Sequence, residues 1–295
     1  MLESRLIARD AGTQFVAAPM ATARFAIVTA GLLIAPGLTR GADAPLFAVR
    51  SDTPLSAPRD GRDGPTSKTF EVKGVKLHYL VQGTGEPVVL IHGLHSSAQM
   101  NWVMPGTMGE LAKRYKVIAL DLPGHGQSDK PADEQAYGTQ MVDDVVALLD
   151  HLKIAKAHIV GYSMGGIVTV KMLALHPDRV RSAVAGGMGW LREGSRLQQF
   201  WEQIPAREGS RTPPACVRGI AKLAVSEDEL RRIKVPVEVV VGSRDPVKRM
   251  YVNPLRPVRP DWPVVEIDDA GHLNCIAKSQ FRASIADWLS QQSAP

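Results

Sequence analysis

From Lys68 onward, apolar positions along the chain follow two alternating rhythms. Short, nearly continuous apolar runs rich in β-branched residues occupy Val88–Ile91, Val117–Leu120, Ala157–Val160, Ser182–Ala185, Val235–Val241 and Val264–Ile267. Such runs predict strands buried on both faces. Between them apolar residues recur every three or four positions. The clearest case is 139–152, where Met141, Val142, Val145, Val146, Leu148, Leu149 and Leu152 form one stripe and Asp143, Asp144 and Asp150 lie among the intervening positions. Similar helical patterns cover 105–115, 164–175 and 277–290. Strands and helices alternating in this way predict an α/β fold with a mostly parallel, doubly wound sheet. Ligands of such folds bind at the carboxyl ends of the strands, so chemistry is sought in the segments just after each apolar run.

The first part of the chain lacks this alternation. Met20 to Arg24, an apolar run from Phe25 to Pro36 and Ala42-Asp43-Ala44 have the layout of an export leader: a charged start, an apolar middle and a small-residue end. The run is too short for a spanning helix, which needs about 20 residues, so no stable transmembrane segment is expected. Residues 1–44 therefore read as a leader, with Met20 as an alternative start, and the protein as periplasmic or secreted; a cytoplasmic protein with an amphipathic or unstructured extension is the alternative. Residues 45–67, rich in Pro, Gly, Ser, Asp and Arg, read as a tether. That leaves 68–295 as one catalytic domain.

Composition changes this picture little. The chain has 295 residues, 44% hydrophobic and 22% charged, as expected of a globular protein. Its net charge of +5 comes from 35 basic and 30 acidic residues that are interleaved, too weak an excess for a nucleic-acid partner. Two cysteines, Cys216 and Cys275, exclude a disulfide scaffold and a four-cysteine zinc site. They could pair with each other in an exported protein, or remain free and buried.

The sharpest chemical signal is Gly161-Tyr162-Ser163-Met164-Gly165-Gly166, between a predicted strand and a predicted helix. A serine on so tight a turn projects its hydroxyl at the helix N-terminus, and small neighbours are needed because the backbone folds back on itself. The N–H of Met164 can then face a developing oxyanion. A nucleophilic serine needs a base, and the base an orienting carboxylate. His272, in Ala270-Gly271-His272, follows the last strand, and Asp245, in Gly242-Ser243-Arg244-Asp245-Pro246, follows the one before it. Asp261, Asp268 and Asp269 are rivals for the acid, with Asp268 and Asp269 too close to His272 in sequence to be preferred. The loop His92-Gly93-Leu94-His95 follows the first parallel run, and the N–H of Leu94 is its natural oxyanion donor. His92 reads as a structural hydrogen-bonder, and His95 as either rim or solvent-facing. Asp121 and His125, in a Gly-broken turn, are expected to pin loops.

Taken together, His92-Gly93, Asp121 to Ser128, the turn around Ser163, Gly242 to Pro246 and Gly271-His272 make the chain resemble the α/β-hydrolase superfamily over about 68–291. The resemblance implies a cofactor-free, metal-free hydrolase that forms an acyl-serine, with Ser163, Asp245 and His272 as triad and Leu94 and Met164 as oxyanion hole. A serine at the turn, where relatives resembling haloalkane dehalogenases and epoxide hydrolases carry an aspartate, favours acyl transfer over substitution at carbon.

The cap, about 188–232, is short for this family and implies an open site. Trp190, Leu191, Leu197, Phe200, Trp201 and Ile204 are spaced as one amphipathic helix. Trp190, Trp201 and Trp102 are candidate substrate contacts; packing within the cap or core is the competing assignment. Arg244, Lys248, Arg249, Arg256 and Arg259 could favour an anionic ligand or form a solvated face. The expected activity is hydrolysis of small to medium carboxylic esters. Hydrolysis of a diketone carbon–carbon bond, an amide or a lactone is the enzymatic alternative, and a ligand receptor that keeps the fold is the non-enzymatic one.

Overall fold

A computed structural model describes residues 64–205 and 210–293. The predicted leader and nearly all of the predicted tether lie outside the described residues. In chain order the domain runs β1 (Thr66–Val72), β2 (Val75–Gln82), β3 (Glu86–Ile91), α1 (Thr107–Leu111), β4 (Tyr115–Leu120), α2 (Thr139–His151), β5 (Ala157–Tyr162), α3 (Met164–Leu175) and β6 (Val180–Gly186). It continues with α4 (Arg196–Gln203), α5 (Pro214–Gly219), α6 (Glu227–Arg232), β7 (Val237–Gly242), β8 (Val264–Ile267) and α7 (Ser279–Gln292).

All six strands expected from apolar runs are present, in one eight-stranded sheet of order β1-β2-β4-β3-β5-β6-β7-β8. β3 to β8 are parallel, while β1, β2 and β4 pair antiparallel. The chain turns one way from β3 to β4 and the other way from β5 onward. The carboxyl ends of β3 and β5 therefore flank the crevice where such sheets bind ligands. The β1–β2 hairpin was not expected: β1 is mostly exposed, so its residues Thr-Ser-Lys-Thr-Phe-Glu-Val carry no buried run to read. β1 begins at Thr66, within the segment read as tether. β7 starts at Val237 rather than Val235 because Pro236, between them, has no N–H to give the ladder.

Two cores form, one on each side of the sheet. One gathers α2, α3 and the cap, including Met141, Leu148, Ile167, Trp190, Cys216 and Leu223. The other packs α1, α7 and a wide π-type turn at Gln99–Val103, with Trp102, Met108, Cys275, Phe281 and Leu289. This division decides the cysteine question: both thiols are free and buried, Cys216 in the first core and Cys275 in the second. Burial pushes each up to about 12, so neither is a ready nucleophile.

The cap is not one helix from 190 to 204. Trp190 and Leu191 are buried ahead of it in an extended stretch, where Arg192 pairs with Val225, and α4 begins only at Arg196 after the Ser195 side chain accepts the Gln198 N–H. α6 starts with a reciprocal cap, Ser226 with Glu229. Lys171 of α3 ties the cap down by donating to the Ala224 carbonyl at 3.0 Å.

Two carboxylates sit inside the fold away from the crevice. Asp144, which the α2 pattern placed among polar positions, is buried and accepts from Gln140 at 2.9 Å. Glu238 on β7 is buried and accepts from the Ser284 hydroxyl at 2.7 Å. Burial pushes each carboxyl up to about 7. For Glu238 the folded-state value lies above the unfolded value of 4.5, so the native state holds more protons between about 4.5 and 7. Stability is therefore highest below that window, falls as pH rises through it, and levels off above. Glu238→Gln should raise Tm at pH 8, by an amount corresponding to the order of 2 kcal/mol, and leave it nearly unchanged at pH 4.5. An equal change at both pH values would show that Glu238 is ionised in the folded protein throughout.

Candidate active site

The crevice is built from loops that follow β3, β5, β7 and β8. Ser163 lies between β5 and α3, capping the helix with φ 56° and ψ −117°, a strained conformation for a residue with a side chain. The turn closes because Gly161 and Gly165 lack side chains: a Cβ on Gly161 would strike the Gly165 carbonyl, and one on Gly165 the Ile91 carbonyl. The Ser163 N–H donates to the Gly186 carbonyl at 2.8 Å, and its own carbonyl accepts from Gly166 at 2.8 Å. Thus locked, the half-buried hydroxyl lies 2.8 Å from Nε2 of His272. Nδ1 of the same ring lies 2.8 Å from Oδ2 of Asp245. Asp245 is buried, and its Oδ1 accepts the Val247 N–H at 2.9 Å. The three side chains form one relay, in which Nδ1 donates to the carboxylate and Nε2 is left to accept from the serine.

Asp261 and Asp269 are engaged elsewhere, Asp261 by Arg259 at 2.6 Å and Asp269 by Arg244 at 3.5 Å. Gly93 and Leu94 pass beside Ser163, since a Cβ on Gly93 would come within 3.2 Å of the Ser163 Cβ. Among the described residues, neither the Leu94 N–H nor the Met164 N–H donates to a protein acceptor.

The loop carrying Leu94 is held by Asn101, which sequence reasoning did not single out, and by His92 and Asp121, which it read as structural. Asn101 Oδ1 accepts the Gly93 N–H at 2.8 Å. His92 is buried and neutral: Nδ1 donates to the Gly93 carbonyl at 2.8 Å and Nε2 accepts from the Leu122 N–H at 3.1 Å. Burial holds its pKa below the ordinary value. His125 packs against it, ring centres 4.9 Å apart, and burial with the neighbouring His92 keeps it well below the usual range. Asp121 accepts from Ala98 and Gln127 N–H groups and from His78 Nδ1, pinning three segments. His95 stands at the cap, its Nδ1 3.0 Å from the Thr212 hydroxyl.

Tyr162 was also missed. Its phenol donates to the His272 carbonyl at 2.5 Å, its ring stacks on the imidazole with centres 5.6 Å apart, and Phe281 backs it edge-on. It couples the serine turn to the histidine loop. Only its place next to Ser163 could have pointed to it, because a tyrosine inside an apolar run reads as core.

The tryptophans require correction. Trp102 is fully buried in the α1/α7 core, and Trp190 is buried with its indole donating to the Val225 carbonyl at 2.7 Å. Neither presents a surface to a ligand; both pack the fold. Trp201 is partly exposed on α4 and donates to the Tyr251 hydroxyl at 3.1 Å. The basic segment is also largely neutralised. Lys248 and Arg256 share Glu266, Arg244 and Arg259 have the partners given above, and Arg259 also lies over Trp262 at 4.3 Å.

A hydroxyl, imidazole and carboxylate in relay, at the carboxyl edge of a parallel sheet and in the chain order Ser, Asp, His, define the class of serine-centred α/β scaffolds. The chain belongs to the alpha/beta hydrolase fold family, whose model matches residues 86–253. It is 41% identical over 146 residues to the dihydrolipoyllysine-residue acetyltransferase component of an acetoin cleaving system from Pseudomonas putida, a match covering 48% of this chain and 38% of that protein. It is 36% identical over 138 residues to 2-hydroxymuconate semialdehyde hydrolase from Pseudomonas sp. (strain CF600), covering 46% of each. The chain thus spans less than half the length of these curated relatives. Among solved structures it is similar to E-2-(acetamidomethylene)succinate hydrolase, with TM-score 0.62 and 25% identity over 77% of this chain and 100% of that one.

Proposed function

We propose that this protein is an exported serine hydrolase that cleaves small to medium carboxylic esters through an acyl-serine intermediate. The observation that carries the proposal is the unbroken relay Asp245–His272–Ser163, with both contacts at 2.8 Å and a serine hydroxyl open to the crevice. In the first half-reaction Ser163 Oγ attacks the ester carbonyl as its proton passes to His272 Nε2. The imidazolium that forms is stabilised by Asp245 across Nδ1. Negative charge gathers on the carbonyl oxygen, where the Leu94 and Met164 N–H groups serve as donors, each such donor contributing about 10²–10³ in rate. His272 then returns the proton to the departing alkoxide. In the second half-reaction water gives a proton to His272 as its oxygen attacks the acyl-serine, and His272 then passes that proton to Ser163 Oγ as the C–Oγ bond breaks and the acid leaves.

The same side chains would serve for a diketone, an amide or a lactone. That second reading draws support from the likeness to hydrolases named for a muconate semialdehyde and an acetamidomethylene succinate, neither of them a simple ester. A p-nitrophenyl ester series from acetate to palmitate, run beside an anilide and a diketone, tests the choice. The expected result is fastest turnover on short and medium esters. Cleavage of the diketone with all esters untouched would transfer the assignment to carbon–carbon hydrolysis. A folded protein giving no fluorophosphonate adduct on Ser163 at neutral pH would favour a receptor.

A further inference from the structure

Among the described residues burial removes most large apolar side chains from water, and of the four that stay exposed one, Leu175 at the end of α3, stands apart while the other three fall in two segments joined to the site. Among the described residues the most exposed are Met104, Leu273 and Met100, at 73, 68 and 56%. All three lie on segments tied to the Ser163 site. Met100 and Met104 flank the π-type turn whose Asn101 holds the Gly93 N–H, and Leu273 follows His272 directly. One guanidinium joins the two segments: Arg282 Nη1 donates to the Pro105 carbonyl at 2.8 Å and to the Ala277 carbonyl at 3.2 Å. The backbone beneath these side chains is further fixed by Met100 N–H to Ser97 Oγ at 3.2 Å and Gly271 N–H to Asn274 Oδ1 at 2.7 Å. The apolar tips are therefore displayed from anchored backbone.

The cap does not belong to this side. Its packing residues fall in the core with α2 and α3, whereas the segments bearing the three tips pack into the core with α1 and α7 through Trp102, Cys275 and Ile276. The charge pattern is one-sided as well. Residues 92–109 and 270–286, which supply the rim, contain no Asp or Glu and include the cations Lys278 and Arg282; the acids that adjoin them are Glu110, paired with Lys113, and Asp268, Asp269 and Asp287. The neighbouring Asp269 is engaged by Arg244, and Asp245 is buried in the relay. Exposed apolar tips on a fixed rim, backed by cations and free of carboxylates, match the surface of an anionic lipid layer: apolar tips enter the boundary between headgroups and acyl chains while cations meet the headgroup charge.

We propose that Met100, Met104 and Leu273 dock this protein onto an anionic lipid surface, and that the ester cleaved at Ser163 is an acyl lipid drawn from that surface. The substrate half of this proposal rests on the ester-hydrolase reading above; the docking half does not. With the rim seated, the mouth of the crevice faces the lipid, and an acyl ester reaches Ser163 without its chain crossing water.

The test uses the full chain with vesicles of phosphatidylcholine alone or mixed with phosphatidylglycerol, comparing wild type, the triple variant Met100→Ser, Met104→Ser, Leu273→Ser, and Lys278→Gln. Wild type should co-sediment with the anionic vesicles and bind the neutral ones weakly, and about 0.5 M salt should reduce the difference. The triple variant should bind anionic vesicles about tenfold or more weakly, and Lys278→Gln about fivefold. Both variants should hydrolyse dissolved p-nitrophenyl acetate at the wild-type rate, while the triple variant loses turnover of p-nitrophenyl palmitate carried in anionic vesicles. Equal vesicle binding by wild type and triple variant overturns the docking surface. So does a triple variant that slows dissolved and vesicle-borne esters alike, since the rim would then be ordinary substrate pocket. A wild-type dimer that becomes monomeric in the triple variant would assign the rim to a second copy of the chain. Wild type inactive on every ester would remove the ester reading, and vesicle co-sedimentation would still decide the docking surface.

Discussion

On the proposed ester-hydrolase reading, replacing Ser163 with alanine should remove nearly all ester turnover, a loss of about 10⁶ in kcat on the scale of comparable triads. The residue left behind keeps its Cβ, so the strained φ of 56° is met by the same backbone, and the side-chain hydrogen bond lost among the described residues is the one to His272. Circular dichroism and Tm should therefore stay close to wild type while p-nitrophenyl ester hydrolysis disappears. The residual rate should reflect what the proposed oxyanion donors, the Leu94 and Met164 N–H groups, and substrate binding achieve without a nucleophile. Turnover within tenfold of wild type would mean that another group attacks, and the relay would need a different purpose.

Asp245→Asn should lower kcat by about 10⁴. The reason is specific to the hydrogen bonds at this carboxylate. Oδ1 accepts the Val247 N–H at 2.9 Å, and Oδ2 faces His272 Nδ1 at 2.8 Å. An amide in the same place keeps its oxygen on the Val247 N–H, because the reverse orientation would set two donors against each other. Its NH₂ then faces Nδ1, which must accept, so the imidazole proton moves to Nε2. In that tautomer His272 cannot take the serine proton. KM should change little, since the carboxylate is buried behind the histidine, and the loss should lie in kcat. Asp269→Asn is the control: its carboxylate is exposed beside Arg244, and its removal should leave kcat within about twofold. A damaging Asp269→Asn with a harmless Asp245→Asn would move the acid to the other loop.

The parts of this protein legible in its sequence are those in which one local pattern has one physical cause. Val88–Ile91 and its counterparts are continuous apolar runs because the central strands are covered on both faces. The segment Gly161 to Gly166 is legible because the backbone turn at Ser163 excludes side chains on its glycines. Legibility fails where a residue's surroundings come from distant segments. β1 escaped notice because an exposed edge strand has no buried face to leave a pattern. Asp144 lay among polar positions of a helical stripe and is nevertheless buried. Trp102 and Trp190 are large, amphipathic and near catalytic loops in sequence, yet packing, not a ligand, covers them.

The sequence by itself determined the parallel α/β sheet, the strained serine turn and the chain order of serine, acid and histidine, since strand burial, glycine sterics and loop placement after strands are all local consequences of residue type. Only the tertiary structure decided which carboxylate meets His272, that Asn101 and Tyr162 brace the crevice, that Cys216 and Cys275 lie on opposite faces of the sheet, and that Met100, Met104 and Leu273 stay exposed on two segments that Arg282 joins. Each of these depends on which side chains from distant segments face one another across a few ångströms, and that distance is set by how the layers pack.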